Sequence, residues 1–300
     1  MSANGSATKP TIVLIHGLWL TPRSWEKWID RYHKAGYTVL APAWPGLEKE
    51  VEAIRADPSV LKGLKLKTVV EHYARIISRI DPSPILIGHS FGGLIVQMLL
   101  DRGLGAAGVA IDSAQSAGVP VLPFSTIRST LSILGNPFTL NGADSLSPEK
   151  FNYAFTNELN AEESKKVYDR YQIPGANRIL WDGALALFNP KAASRVDYSN
   201  NNRAPLLFIA GGNDHLVPPA VNKANVRKYV KNSTAVTDYR EFPNRTHYTV
   251  GQAGWEEVAD FAMDWAKSHA RGQVSLSDVT AAFTPPKTSA PSTTPPELRA

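Results

Sequence analysis

The sequence predicts an α/β fold: a mostly parallel sheet flanked by helices, with an inserted, mostly helical cap. Three observations carry this prediction. Continuous apolar runs alternate with helix-period segments. The alternation stops between about 114 and 204 and then resumes. A glycine-flanked serine stands where one apolar run meets a helical one. Alternating strands and helices imply parallel pairing through right-handed crossovers, with helices on both faces.

The elements follow in order. "TIVLIHG" (11–17) reads as a buried strand. Lys9 precedes it as in a signal peptide, but the run holds His16 and Gly17 and lacks a small-residue cleavage pattern. "YTVLAPAW" (37–44), "PILIGHS" (84–90), "AGVAIDS" (107–113), "PLLFIAGG" (205–212) and "TDYREFP" (237–243) are the other strands. Most are unbroken apolar runs, the mark of strands covered on both faces. Helices are expected over 24–35, 67–80, 92–102, 218–231 and 254–269. In the second, Val69, Tyr73, Ile76, Ile77 and Ile80 fall close to helical spacing, and Trp255, Val258, Phe261, Ala262 and Trp265 form one stripe in the last. The stretch 114–204 offers helical segments but no convincing buried strand. Ninety structureless residues inside a domain are improbable, so this is read as a cap. Residues 1–113 and 205–271 are then the core. The Pro/Ser/Thr-rich segment 272–300 has too few large apolar residues to order itself and is expected to be a disordered tail. Truncation after Gly272 should leave the melting temperature and kcat/KM unchanged.

Composition narrows the function. Hydrophobic residues are 43% and charged residues 20% of 300, enough for one large domain with an insertion or for two small domains. There is no cysteine, which excludes disulfides, a thiol nucleophile and Cys-based metal sites, and fits a cytoplasmic protein. The net charge is +5, but basic residues mostly alternate with acids, and "KGLKLK" (62–67) is the one small basic cluster. That pattern reads as solvated faces, so no nucleic-acid partner is expected. No apolar run reaches the ~18 residues of a membrane span. Nothing in the sequence defines an oligomeric state.

The serine lies in Gly88-His89-Ser90-Phe91-Gly92, a G-x-S-x-G turn between strand and helix. Such a turn strains the backbone, needs glycine two positions either side, and lifts the hydroxyl to a helix N-terminus. There, free N–H groups favour a developing oxyanion. Serine is a weak nucleophile without a base. Of seven histidines, His33, His72 and His269 sit in helical patterns, His16 ends a strand and His89 belongs to the turn. His247 lies in a loop beyond the last strand, where parallel sheets place chemistry, and is the preferred base over His215. An acid should orient that base. Asp214, in the Gly211–Pro218 loop, is preferred over Asp112, which ends the neighbouring strand. The oxyanion donors expected are the N–H groups of Phe91 and of Leu18, the latter ahead of Trp19. Trp19, Phe124, Phe138, Phe155, Trp181 and Phe188 are candidates for an apolar substrate pocket; packing within the cap explains the cap members equally well.

Together and in order, "LIHGLW", "GHSFGG", "GGNDHLVP" and "RTHYTVGQAGWEEVADF" resemble the α/β-hydrolase superfamily, in its capped esterase, lipase and peroxidase-like branch. The resemblance covers about residues 10–270. It implies a Ser90–Asp214–His247 triad, an oxyanion hole from Leu18 and Phe91, and hydrolysis of a small-molecule carboxylic ester through an acyl-enzyme, with no cofactor or metal. Thioesterase, lactonase, carbon–carbon hydrolase and perhydrolase chemistry use the same triad, and some members resemble slow-turnover ligand receptors. Ser90 argues against dehalogenase and epoxide-hydrolase chemistry, which would place an aspartate at that position. The sequence departs from the full fold at its start, where the antiparallel first hairpin is not expected.

Overall fold

Ile12–Ile15 forms β1, and its four side chains are fully buried. Successive residues of a strand face opposite ways. Ile12 and Leu14 accordingly enter one apolar cluster and Val13 and Ile15 another. This two-sided burial organises the whole computed structural model, which describes residues 9–186, 189 and 192–272. After β1 come α1 (Glu26–Lys34), β2 (Val39–Leu40), α2 (Val51–Ala56), α3 (Leu66–Ile77), β3 (Ile85–His89), α4 (Phe91–Asp101) and β4 (Ala107–Ile111). The chain then runs through α5 (Phe124–Leu134), β5 (Ala143–Asp144), α6 (Pro148–Phe155), α7 (Ala161–Tyr171), β6 (Gly175–Ala176) and α8 (Asn177–Leu185). It returns to the sheet with β7 (Leu206–Gly211), α9 (Pro219–Asn232), β8 (Thr237–Phe242) and α10 (Trp255–His269).

The main sheet has the order β2-β1-β3-β4-β7-β8, and every pairing in it is parallel. Among the described residues no antiparallel hairpin precedes β1. On one face α1 and α10 pack through Trp28, Tyr32, Val258 and Ala262. On the other, α3, α4 and α9 contribute Val69, Tyr73, Leu94, Ile95, Val221 and Tyr229. Phe151, Phe155, Ile179 and Leu180 of the insertion join this second cluster, so the inserted helices share a core with the α4 side of the sheet.

Between β4 and β7 the described residues form α5 to α8 and a two-residue antiparallel ladder between β5 and β6. Two other details differ from the sequence reading. The second strand pairs over only two residues rather than 37–44, because Pro42 and Pro45 lack the N–H that a ladder needs. The short α2 had no stripe long enough to announce it. The segment 273–300 lies outside the described residues, as does Phe188. No helix among the described residues is long and apolar enough to cross a membrane.

Candidate active site

β3 ends at His89 and α4 begins at Phe91, leaving Ser90 alone at the corner with φ 56° and ψ −121°. A non-glycine residue holds such a conformation only when its surroundings over-determine it. Here its N–H donates to the Ile111 carbonyl (2.9 Å), while its own carbonyl accepts from Gly93 (3.0 Å) and Ala114 (3.1 Å). Glycine is required beside it. A Cβ on Gly88 would sit 2.2 Å from the Gly92 carbonyl oxygen, and one on Gly92 would sit 2.0 Å from that of Ile15. Phe91 is the first residue of α4, so its N–H is among those the helix leaves unpaired.

The loop after β1 closes on this corner. A Cβ on Gly17 would lie 2.8 Å from that of Ser90. The buried His16 ring governs this loop. Its Nε2 accepts from the Trp44 N–H (3.2 Å), which puts the proton on Nδ1, and Nδ1–H donates to the Gly17 carbonyl (2.9 Å). The carbonyl and N–H of a trans peptide point opposite ways. With the Gly17 carbonyl turned to His16, the Leu18 N–H faces away from it. Trp19, at φ 64°, is held from the insertion side: its carbonyl accepts from Ile173 (2.9 Å) and its indole N–H donates to the Asp144 carbonyl (3.2 Å).

His247 and Asp214 meet at the far edge of the corner. His247 Nδ1–H donates to Asp214 Oδ2 at 2.7 Å, and both side chains are fully buried. Asp214 Oδ1 accepts from the N–H groups of Leu216 (2.7 Å) and Val217 (2.8 Å). Burial pushes the carboxyl up to about 8, with these two amides opposing it only in part. Burial drives the His247 imidazole down to about 3, which keeps it neutral at physiological pH. Its Nε2 is a buried nitrogen with no hydrogen-bond partner among the described residues. Phe155 stands edge-on to the ring at 4.8 Å, and its carbonyl accepts from the Tyr248 N–H (2.9 Å). His89, next to the serine, packs its ring 4.7 Å from that of His247 and donates from Nε2 to the His247 carbonyl (2.8 Å). The serine corner and the histidine loop are thus tied to each other.

The rivals are engaged elsewhere. Asp112, at φ 44°, is buried and accepts the Gly211 N–H at 2.6 Å rather than an imidazole. Burial and the nearby Asp214 raise its carboxyl well above the ordinary range. His215 Nδ1 bonds the Tyr153 carbonyl (3.0 Å). His89, Asp112 and His247 bring ligand-type atoms within 4.8 Å of one another. The His89 Nε2 and His247 Nδ1 protons are donated inward, which leaves His89 Nδ1, His247 Nε2 and Asp112 Oδ2 as buried atoms with no hydrogen-bond partner among the described residues.

A cavity of about 60 Å³ opens beside Ser90, between α5, α8 and the Asp214 loop. Trp19 lines it, with Phe91, Leu134, Leu180 and Leu216. Among the described residues, the insertion aromatics do not. Phe124 is 76% and Phe138 97% exposed, both on the outer surface. Trp181 is half-buried but lies away from the cavity, and Phe155 packs on His247. The inner side of α5 is instead Thr126, Thr130 and Leu134, spaced i, i+4, i+8.

His16 and His89 were not given roles from sequence. Their placement beside Gly17 and Ser90 was the available signal, but their partners, Trp44 and His247, are distant in the chain. His16 carries a testable consequence. Burial lowers its pKa from 6.5 to about 4. Between those values the unfolded chain binds a proton that the native one refuses, so stability falls as pH drops through this window. Relative to His16→Asn, wild type should lose on the order of 3 kcal/mol between pH 6.5 and 4, measured by denaturant unfolding. A pH-independent difference between the two would contradict a neutral, buried His16.

An Alpha/beta hydrolase family model matches residues 12–261, and the chain belongs to that family. Solved structures agree in fold. An extracellular α/β-hydrolase from a Paenibacillus species, described as sharing structural and functional homology with tobacco salicylic acid binding protein 2, superimposes with a TM-score of 0.64 at 19% identity, over 88% of this chain and 100% of that one. A monoacylglycerol lipase from Paleococcus ferrophilus gives 0.59 at 21% identity, over 88% and 97%. A methylesterase from Arabidopsis gives 0.60 at 13% identity, over 87% and 100%. At these identities the likeness is one of fold. No curated protein sequence matches the chain.

Proposed function

We propose that this hydrolase-family protein cleaves carboxylic esters through an acyl-enzyme on Ser90. The observation that carries the reading is the buried His247–Asp214 bond of 2.7 Å, tied through His89 to the serine corner. Ser90 Oγ attacks the ester carbonyl, and His247 Nε2, neutral and unpaired, takes the proton. Asp214 holds the Nδ1–H tautomer and stabilises the imidazolium that forms. The N–H groups of Leu18 and Phe91 bind the oxyanion, where fixed dipoles in a buried site act most strongly. His247 returns the proton to the leaving alcohol, and the same base then activates water to release the acid. No metal or cofactor takes part in these steps, and a cytoplasmic setting belongs to the same reading. Esterases and a lipase stand among the structural relatives, in keeping with ester chemistry.

The direct test is a fluorophosphonate probe with a peptide map, run beside turnover of an aryl ester. Labelling at Ser90 with rapid turnover is expected. Labelling at another residue would reassign the nucleophile. Labelling at Ser90 with negligible turnover, and ligand-dependent protection of the insertion, would favour a receptor.

A further inference from the structure

The cavity beside Ser90 says which part of a substrate is read, and of what chemistry. It is small, about 60 Å³. Its apolar sides are Trp19, Phe91, Leu134, Leu180, Leu216 and Val217. Among the described residues none of its lining side chains is charged. The two threonines of α5 face it with their protons already committed, Thr126 to the Leu216 carbonyl (2.9 Å) and Thr130 to the Thr126 carbonyl (2.8 Å). Gln115, half-buried in the loop after β4, adds a neutral amide. An ion entering this space would leave water and meet no counter-charge, which disfavours its entry.

The acyl half of an ester stays on Ser90 after the alcohol departs, so it is the half that needs enclosed space. Resting on the reading of Ser90 as nucleophile, we propose that the protein acts on esters of short, uncharged, apolar carboxylic acids, selected by the cavity between α5 and α8. Dicarboxylic half-esters and amino-acid esters are excluded because their second charge has no partner there. Long acyl chains are excluded because a cavity of about 60 Å³ cannot enclose them.

The test compares p-nitrophenyl valerate with the p-nitrophenyl half-ester of glutaric acid, which differ only in a terminal methyl against a carboxylate. It adds a chain-length series from acetate to decanoate. The valerate should exceed the glutarate half-ester by about 100-fold in kcat/KM, as an unpaired buried charge demands. The series should peak at five carbons or fewer. Gln115→Lys puts a cation into the cavity at a half-buried position. It should raise the glutarate half-ester relative to valerate by about tenfold or more. Equal rates for the matched pair, a peak at eight carbons or beyond, or a ratio that Gln115→Lys leaves unmoved would each overturn the proposal. The serine reading fails on a different result, valerate turnover that survives in Ser90→Ala.

Discussion

Ser90→Ala is expected to lose on the order of 10⁶-fold in kcat for ester hydrolysis, the scale seen when a serine nucleophile is removed from a working triad. The oxyanion donors and the cavity survive the change, so a small rate above water should remain. The loss should not come from misfolding. The bonds that hold this corner run from backbone atoms of residue 90, to Ile111, Gly93 and Ala114, and the substitution keeps them. The φ of 56° is as strained for alanine as for serine. Ser90→Gly provides the control: it relieves that strain while also deleting the hydroxyl. Both variants should keep the wild-type far-ultraviolet spectrum, with a melting temperature for the glycine variant at or above that of the alanine variant. Turnover in a folded Ser90→Ala protein at a tenth of wild type would remove Ser90 from the reaction. So would a phosphonate adduct mapped elsewhere.

Much of this site was legible in the sequence because its constraints are local. Gly88 is dictated by the Gly92 carbonyl within the turn itself, so the pentapeptide announces the corner, while Gly92 answers to the Ile15 carbonyl of the adjacent strand. The strands were readable because a doubly covered sheet leaves no polar face: Ile12–Ile15, Ile85–His89 and Leu206–Gly211 are buried throughout. The pocket was not readable in the same way. Apolar residues of α5, at 124, 127, 131, 133 and 134, are spread round the helix, and nothing local says which side meets the sheet. Aromatic content pointed to Phe124 and Phe138, while tertiary packing turned Thr126, Thr130 and Leu134 inward. His16 shows the same limit. Its effect on the Gly17–Leu18 peptide depends on Trp44, 28 residues on, which fixes its tautomer.

Asp214→Asn should cost about 10⁴-fold in kcat, because the carboxamide reverses the tautomer of the base. Its oxygen can go on accepting from Leu216 and Val217, as Oδ1 does now. Its NH₂ then faces His247 Nδ1, which must become an acceptor. The imidazole proton moves to Nε2, the atom that has to take the proton of Ser90. Asp112→Asn tests the alternative at the neighbouring strand end. Asp112 meets the Gly211 N–H through Oδ1, a bond that an amide oxygen can make as well. Burial already favours an uncharged group there. A neutral isostere should therefore cost less than about tenfold in kcat, since no transition-state charge or tautomer depends on it. Steady-state kinetics on the two variants, with melting curves to establish equal folding, decides between them. A large loss in Asp112→Asn with a small one in Asp214→Asn would move the acid to β4. Comparable losses in both would mean that the two buried carboxyls, which already feel each other's charge, act on His247 as one unit.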